Sequence, residues 1–391
     1  MADSHEAGWR VVQEYESNPL AEDSDDEKRI QKAQYRAERK IKTEKAKRKD
    51  SFRIYLKKHV DDQLESSGVA KGTYLHSLSS SLSEHLVHSR SDNTSKTYLS
   101  GFRRWENFIV PQGFSALPAH PVHVALYITH LMDSGSSCNV VNNAVYSIKW
   151  AHDLNGLADP TCNAFVKNLQ DSARRRFRPI RKRKDPVSSD MLIQLCEIFQ
   201  YDNDLLVIRD LCMILLSFSG FLRYDEVSSL ACNDVTIFDD YVSLIIRKSK
   251  TDQYRNGNEV LISCGTTIAC PVKMLRKYVN IAQIDLSSDH FLFKPVYRSK
   301  DKCGLIYKNK KLSYTAAKSS IISRLKLVAK DLDLGLHSMR AGGATQAANS
   351  SAFENDRCWK RHGRWKSESS KDGYVEDSVE NRLSVSKSLG L

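Results

Sequence analysis

Arg223 precedes Glu226 by three positions in the stretch Gly220-Phe-Leu-Arg-Tyr-Asp-Glu-Val-Ser-Ser-Leu230. On a helix that spacing brings carboxylate and guanidinium within one turn of each other. An arginine held by a carboxylate at a helix N-terminus is a pre-aimed phosphate ligand, although a surface ion pair explains the segment equally well in isolation. Gly220 is expected to relax the backbone ahead of it. Next, Arg247-Lys-Ser-Lys-Thr-Asp-Gln253 carries Lys248 and Lys250 two apart, hence on one face of a strand. A lysine near a strand end can donate a proton to a leaving oxygen, though most such lysines only solubilise. Leu336-His-Ser-Met-Arg-Ala-Gly-Gly-Ala-Thr345 places His337 and Arg340 on one face of a helix start. Imidazole and guanidinium together can clamp a phosphate and move a proton near neutral pH. Finally, Arg361-His-Gly-Arg-Trp365 is followed nine residues later by Tyr374, in a stretch that Gly373 is expected to loosen.

The elements that must position these residues fall into two domains. From about Val69 to Phe177 the apolar period is helical. Thr94 can cap a helix burying Tyr98, Phe102, Trp105 and Phe108. Pro121 opens a second helix, with Val124, Ile128 and Leu131 inward. A third presents Val141, Ala144, Ile148 and Ala151, and a fourth, after Pro160, presents Phe165, Leu169 and Ala173. The aromatic residues read as core rather than as a base-stacking platform. A second domain begins near Asp185, with helical stretches at 190–200, 204–219 and 224–231. Residues 241–247 and 259–263 form one β-hairpin, and helices return at 271–283, 315–331, 338–349 and 379–389. The expected fold is mainly α with a small β-hairpin or sheet. It is divided into a charged extension (1–68, disordered or a lone helix), a helical domain (69–173), a basic linker (174–186) and a catalytic domain with a C-terminal tail (187–391).

The ordered series Gly-x-x-Arg-x-x-Glu, a hairpin Ser-Lys-Thr, His-x-x-Arg, Gly-x-Trp and a late Tyr resembles the tyrosine recombinases, the phage-type integrases. The order matches across roughly 185–380, and the preceding helical domain looks like the family's core-binding (SAM-like) domain. The wording Gly-Phe-Leu-Arg-Tyr-Asp-Glu, His-Ser-Met-Arg-Ala-Gly-Gly-Ala-Thr and Arg-His-Gly-Arg-Trp-Lys-Ser is similar to the recombinases of DIRS-type retroelements of animals. The resemblance implies a two-domain DNA clamp that breaks and rejoins strands through a 3′-phosphotyrosine, integrating a mobile element. Arg223 and Arg340 would then bind the scissile phosphate, Lys250 would protonate the departing 5′ oxygen and His337 would assist proton transfer. Trp365 would donate to a phosphate oxygen, Tyr374 would attack phosphorus, and Glu226 would orient Arg223. Two slots stay open. His362, twelve residues before Tyr374, competes with Trp365, and Lys248 competes with Lys250. The resemblance also implies four protomers on two duplexes, linked by tail exchange. A catalytically inactive, domesticated DNA-binding protein of the same descent is the alternative.

The physical logic agrees. A phenol that ordinarily ionises near pH 10 needs neighbouring cations to serve as nucleophile and leaving group. Two arginines and a lysine supply the charge that a metal supplies in a nuclease, so no cofactor and no metal are expected.

Charge points the same way. The chain has 391 residues and a formal net charge of +12, all of it beyond residue 50, because residues 1–50 hold 12 basic and 12 acidic side chains. Such a body attracts a polyanion, which the resemblance implies is double-stranded DNA. Arg174, Arg175, Arg176, Arg178, Arg181, Lys182, Arg183 and Lys184 form the densest run, interrupted by Pro179. It suits a phosphate backbone or nuclear import, and a nuclear location is expected. No apolar run approaches the roughly 20 residues of a spanning helix, and no secretory leader is expected from MADSHEAGW. Nine cysteines without a Cys-x-x-Cys pair read as reduced, mostly buried thiols. Without a P-loop or G-x-G-x-x-G, nucleotide-driven chemistry is not indicated.

Overall fold

A computed structural model describes residues 56–177, 183–249, 252, 257–298, 303–350, 356–379 and 382–383. The chain divides into two compact units, with the division between Lys182 and Arg183.

The first unit is helical. Residues 56–66 are helical (α1), followed by α2 (Tyr74–Ser77), α3 (Ser79–His88), α4 (Asp92–Ile109), α5 (Pro121–Asp133), α6 (Cys138–Leu154) and α7 (Ala164–Arg176). Leu56 belongs to the same buried cluster as Phe102, Trp105, Ile128 and Ile148. The helical unit therefore takes in residues assigned above to the extension, and begins no later than Leu56. The extension's charged part, residues 1–50, lies outside the described residues. Ser91, not Thr94, caps α4, its side chain accepting from the Thr94 amide at 3.3 Å. Val141, Ala144, Ile148 and Ala151 are all buried as expected. Phe165 is not; it is 62% exposed. Asn163 caps α7 through the Phe165 amide, which fixes a phase in which Val166, Leu169 and Ala173 face inward at spacings of three and four. Phe165 is then turned out by one position.

Arg174, Arg175 and Arg176 form the last turn of α7 rather than a linker. Cations at a helix C-terminus suit its dipole. The run's other end is equally fixed. The Asp185 amide donates to the Asp333 carbonyl at 3.1 Å, and the Val187 amide to the Ser338 carbonyl at 3.2 Å. Lys184 pairs with Asp333, and Val187 is buried. The linker is thus shorter than 174–186. Arg178, Arg181 and Lys182 lie outside the described residues.

The second unit comprises α8 (Ser189–Ile198), α9 (Leu205–Ser219), α10 (Tyr224–Ser228), β1 (Val235–Ile237), β2 (Tyr241–Ile246), β3 (Asn258–Ser263), α11 (Pro271–Ile281), β4 (Val296–Arg298), β5 (Cys303–Leu305), α12 (Tyr314–Leu325), α13 (Ser338–Ala348), α14 (Asp356–Gly363) and α15 (Glu368–Asp372). The expected hairpin is β2–β3, in register Tyr241 to Ser263, and β1 extends it to an antiparallel three-stranded sheet. β4 and β5 form a second antiparallel pair. Sequence alternation missed β1, β4 and β5 because three residues are too few to set a period. Helix α9 is the centre of the core: Leu205 and every residue from Val207 to Ser217 are buried. Five of the nine cysteines are buried, and all nine are free.

Candidate active site

The site is assembled from three turns of the second unit. The first joins α9 to α10. Here the strained residue is Phe221, with a left-handed φ of +47°, and not Gly220, whose φ is −94°. At Gly220 a Cβ would be crowded, 2.9 Å from the terminal methyl of Ile262 and 3.1 Å from the Leu216 carbonyl. Arg223 follows as the N-cap of α10. Glu226 reaches back to it twice: Oε2 accepts the Arg223 amide at 2.9 Å, and Oε1 accepts Nη1 at 2.6 Å. This is the carboxylate half of a capping box, with the cap's own guanidinium held by the same group.

The second turn precedes α13. His337 is its N-cap, with an exposed side chain. One helical turn later Arg340 is fully buried. Its Nη1 donates to the Phe221 carbonyl, and its Nη2 to the Gly363 carbonyl at 2.7 Å. The Arg340 Nη1 stands 3.9 Å from Glu226 Oε2, and Nε is buried without a partner among the described residues. Helix α13 comes this close because it carries two glycines. A Cβ on Gly342 would sit 1.9 Å from the Val187 carbonyl, and one on Gly343 would sit 2.1 Å from the Phe218 carbonyl.

The third turn runs from α14 to Tyr374. Trp365 is buried against Phe221, Trp359 and Tyr374, the last at 6.0 Å between ring centroids. Its indole N–H has no partner among the described residues. His362 points elsewhere: its Nε2 lies 2.7 Å from the Ser219 carbonyl, and its ring packs edge-on to Phe221. Tyr374 follows α15, where Gly373 is the C-cap in a right-handed helical conformation rather than a loosened joint. The Tyr374 amide donates to the Lys371 carbonyl at 2.9 Å. Thr345 of α13 donates to the Tyr374 carbonyl at 3.3 Å and accepts the Glu376 amide at 3.1 Å. The Arg340 guanidinium carbon lies 4.8 Å from the Tyr374 ring centroid and 5.1 Å from that of Trp365.

Arg223, Glu226, Arg340, Trp365 and Tyr374 are thus brought together. The strand alternation invoked for the lysines stops at Ile246. Lys248 lies beyond it and is exposed, and Lys250 lies outside the described residues.

A residue that sequence reasoning passed over completes the cluster. Arg364, buried and left-handed at φ +56°, donates to Glu226 Oε2 at 2.9 Å. Three guanidiniums therefore surround one carboxylate. Burial pushes the Glu226 carboxyl up, but Arg364, Arg223 and Arg340 outweigh it and hold it below the ordinary value. Burial, and then the like charges of Arg223 and Arg364, push Arg340 down. Arg223 moves up despite its burial, because Glu226, and after it the neighbouring Tyr374 phenol, favour its charged form. Burial lowers His362, which is neutral at pH 7. The net effect is a buried excess of positive charge beside a phenol, an arrangement that an anion would complete.

Two solved structures are similar over most of the chain: XerH site-specific recombinase bound to difH substrate (14% identity, TM-score 0.50, covering 76% of this chain and 78% of that one) and the Tn1549 transposon integrase in complex with transposon right-end DNA (11% identity, TM-score 0.50, covering 86% and 99%). The mainly helical fold with small antiparallel sheets is that of the tyrosine recombinases. In sequence, the chain is 27% identical over 276 residues to the integrase/recombinase XerD homolog of Selenomonas ruminantium, spanning 69% of this chain and 78% of that protein. The sequence likeness to that integrase/recombinase and the likeness of fold to the two solved structures point the same way. No family profile matches it.

Proposed function

We propose that this protein is a site-specific DNA recombinase that breaks and rejoins duplex DNA through a 3′-phosphotyrosine on Tyr374. The observation that carries the reading is the convergence of Arg223, Arg340, Trp365 and Tyr374 around the buried Glu226. In the proposed step the Tyr374 oxygen attacks phosphorus, the bond to the 5′ oxygen breaks, and that oxygen leaves as a hydroxyl after taking a proton. Attack by a 5′ hydroxyl reverses the step and releases the phenol, so the bond energy is conserved and no nucleotide is consumed. Arg223 and Arg340 bind the non-bridging oxygens, and their fixed charge needs no reorganisation as the pentavalent state forms. Lys250 is proposed as the proton donor to the leaving oxygen, with Lys248 as its competitor, and His337 as an aid to proton transfer. The buried, unpartnered indole N–H favours Trp365 over His362, whose ring is engaged with Ser219.

The finer reading is integration of a mobile element of the DIRS type, in the nucleus, by four protomers joined through their C-terminal tails. The basic residues 174–184 are proposed to lie on the DNA backbone, so binding weakens steeply with salt.

The test is a nicked oligonucleotide substrate from which the released strand diffuses away, trapping the adduct. A nucleotide on the peptide containing Lys371-Asp-Gly-Tyr-Val, absent from Tyr374→Phe, is expected. DNA binding without any adduct would instead identify a domesticated DNA-binding protein, and an adduct on another residue would overturn the mechanism.

A further inference from the structure

We infer that Arg364 is a positioning residue that occupies the second oxygen of Glu226 and so keeps Arg340 from pairing with that carboxylate in place of the phosphate. The inference rests on the strand-cleavage reading above. Both terminal nitrogens of Arg364 are engaged with the protein, while its Nε is buried without a partner among the described residues. Its Nη1 donates to the carbonyls of Gly220 at 3.2 Å and His362 at 2.8 Å, and its Nη2 to the Phe221 carbonyl at 2.8 Å and Glu226 Oε2 at 2.9 Å. Its side chain is 2% exposed.

The second oxygen of Glu226 is then fully used. Oε1 takes the Arg223 guanidinium, and Oε2 takes the Arg223 amide and Arg364. Arg340 is left at 3.9 Å, beyond hydrogen-bond reach, and turns its Nη1 to the Phe221 carbonyl. Without Arg364, Oε2 would have a vacant lone pair in a dry site, with the Arg340 guanidinium as the nearest charged donor. A buried carboxylate and a buried guanidinium at that separation close into an ion pair, and Arg340 would be neutralised where the phosphate needs it.

The backbone supports the same reading. Among the described residues, the non-glycine positions with left-handed φ are Phe221, Gln283 and Arg364. Two of the three are joined directly, since Arg364 donates to the Phe221 carbonyl. Residues held in that region cost energy and persist where their surroundings fix them. The Arg364 fork ties the turn that carries Arg223 to the turn that leads to Tyr374. A lysine, with one point charge on a flexible stem, cannot span those acceptors.

The experiment compares the full-length wild type, Arg364→Met, and Arg364→Met combined with Glu226→Gln. Two quantities are read: single-turnover cleavage of the nicked duplex beside its Kd, and the rise in Tm given by inorganic phosphate. Arg364→Met should slow cleavage by about 100-fold, as for a lost transition-state contact, with DNA affinity little changed. Adding Glu226→Gln removes the charge that captures Arg340, so cleavage should recover by about 10-fold or more, a coupling between neighbours. The phosphate response should vanish in the single variant and return in the double. A merely structural Arg364 predicts the opposite order, with the double variant worse than the single; that result, or wild-type cleavage by Arg364→Met, overturns the inference. If the wild type forms no covalent adduct, the strand-cleavage reading fails and the phosphate response decides alone, an unchanged response in Arg364→Met again overturning it. Should Arg364→Met fail to fold, Arg364→Lys, alone and with Glu226→Gln, is held to the same ordering.

Discussion

The guanidinium of Arg340 lies over the ring of Tyr374, with Cζ 4.8 Å from the ring centroid. A desolvated cation–π contact contributes about 2 kcal/mol. Tyr374→Phe keeps the ring under that guanidinium and loses only the hydroxyl, so it should remain folded with only a small fall in Tm.

The two arginines should separate in their effect on stability. Arg223 has an 11% exposed side chain and is tied to Glu226, so Arg223→Ala should abolish cleavage with little loss of Tm. Arg340→Ala should abolish cleavage and also destabilise the second unit by about 3 kcal/mol or more, because it leaves the Gly363 carbonyl buried without its donor, the Phe221 carbonyl with Arg364 alone, and the Glu226 carboxylate with one cation fewer. Calorimetry of the two variants beside the cleavage assay checks this. Equal Tm losses would show that Arg340 is not the buried tie described.

Trp365 and His362 are distinguished by one atom. Trp365→Phe retains an aromatic ring against Tyr374 and deletes the unpartnered N–H, and should slow cleavage by about 10-fold or more at unchanged DNA affinity, as for a lost donor to the transition state. His362→Gln preserves a donor to the Ser219 carbonyl and should cleave within a few-fold of wild type. Because His362 titrates below its ordinary value, it is neutral throughout the neutral range and should add no ionisation to the rate profile there. If His362→Gln abolishes cleavage at unchanged Tm, the assignment reverses.

Gly343→Ala tests the packing that delivers Arg340. The new Cβ would stand 2.1 Å from the Phe218 carbonyl, with the Phe221 ring at 2.8 Å. Backbone cannot yield as a side chain can, so the loss should exceed the usual ~1–3 kcal/mol of overpacking. Denaturant unfolding gives the measure; a Tm within a degree of wild type would refute the contact.

Acid should loosen the segment before Tyr374. Glu368, in the first turn of α15, bonds to Lys360 and Lys371, and these contacts lower its carboxyl to about 2. A carboxylate with a depressed folded value adds stability above its unfolded value, and that stability is lost as pH falls through the folded one. The window therefore runs from about 4.5 down to about 2. Hydrogen-exchange protection in residues 366–374, taken relative to the intrinsic rate at each pH, should fall across it in the wild type and already be lower at neutral pH in Glu368→Gln. Protection independent of pH in that window would refute the role of the pair.

The order Arg223, His337, Arg340, Trp365, Tyr374 was legible in the sequence because residue type and short spacing are local properties. So were the helices: Val141, Ala144, Ile148 and Ala151 repeat with the helical period and are all buried. Strand β2 was legible from its alternation and its β-branched residues. Phase was less so. Asn163 sets the rotation of α7 through one hydrogen bond, and Phe165 faces out although its size marks it for the core. Tertiary structure alone decided the rest. The strain sits at Phe221 rather than Gly220, and Gly373 ends a helix. Arg364 meets Glu226 across 138 positions of sequence. No periodicity or motif spans that interval, since the pairing depends on how three turns pack after the core has formed. Burial then strips water from four charges, and the electrostatics of the site follow from that desolvation.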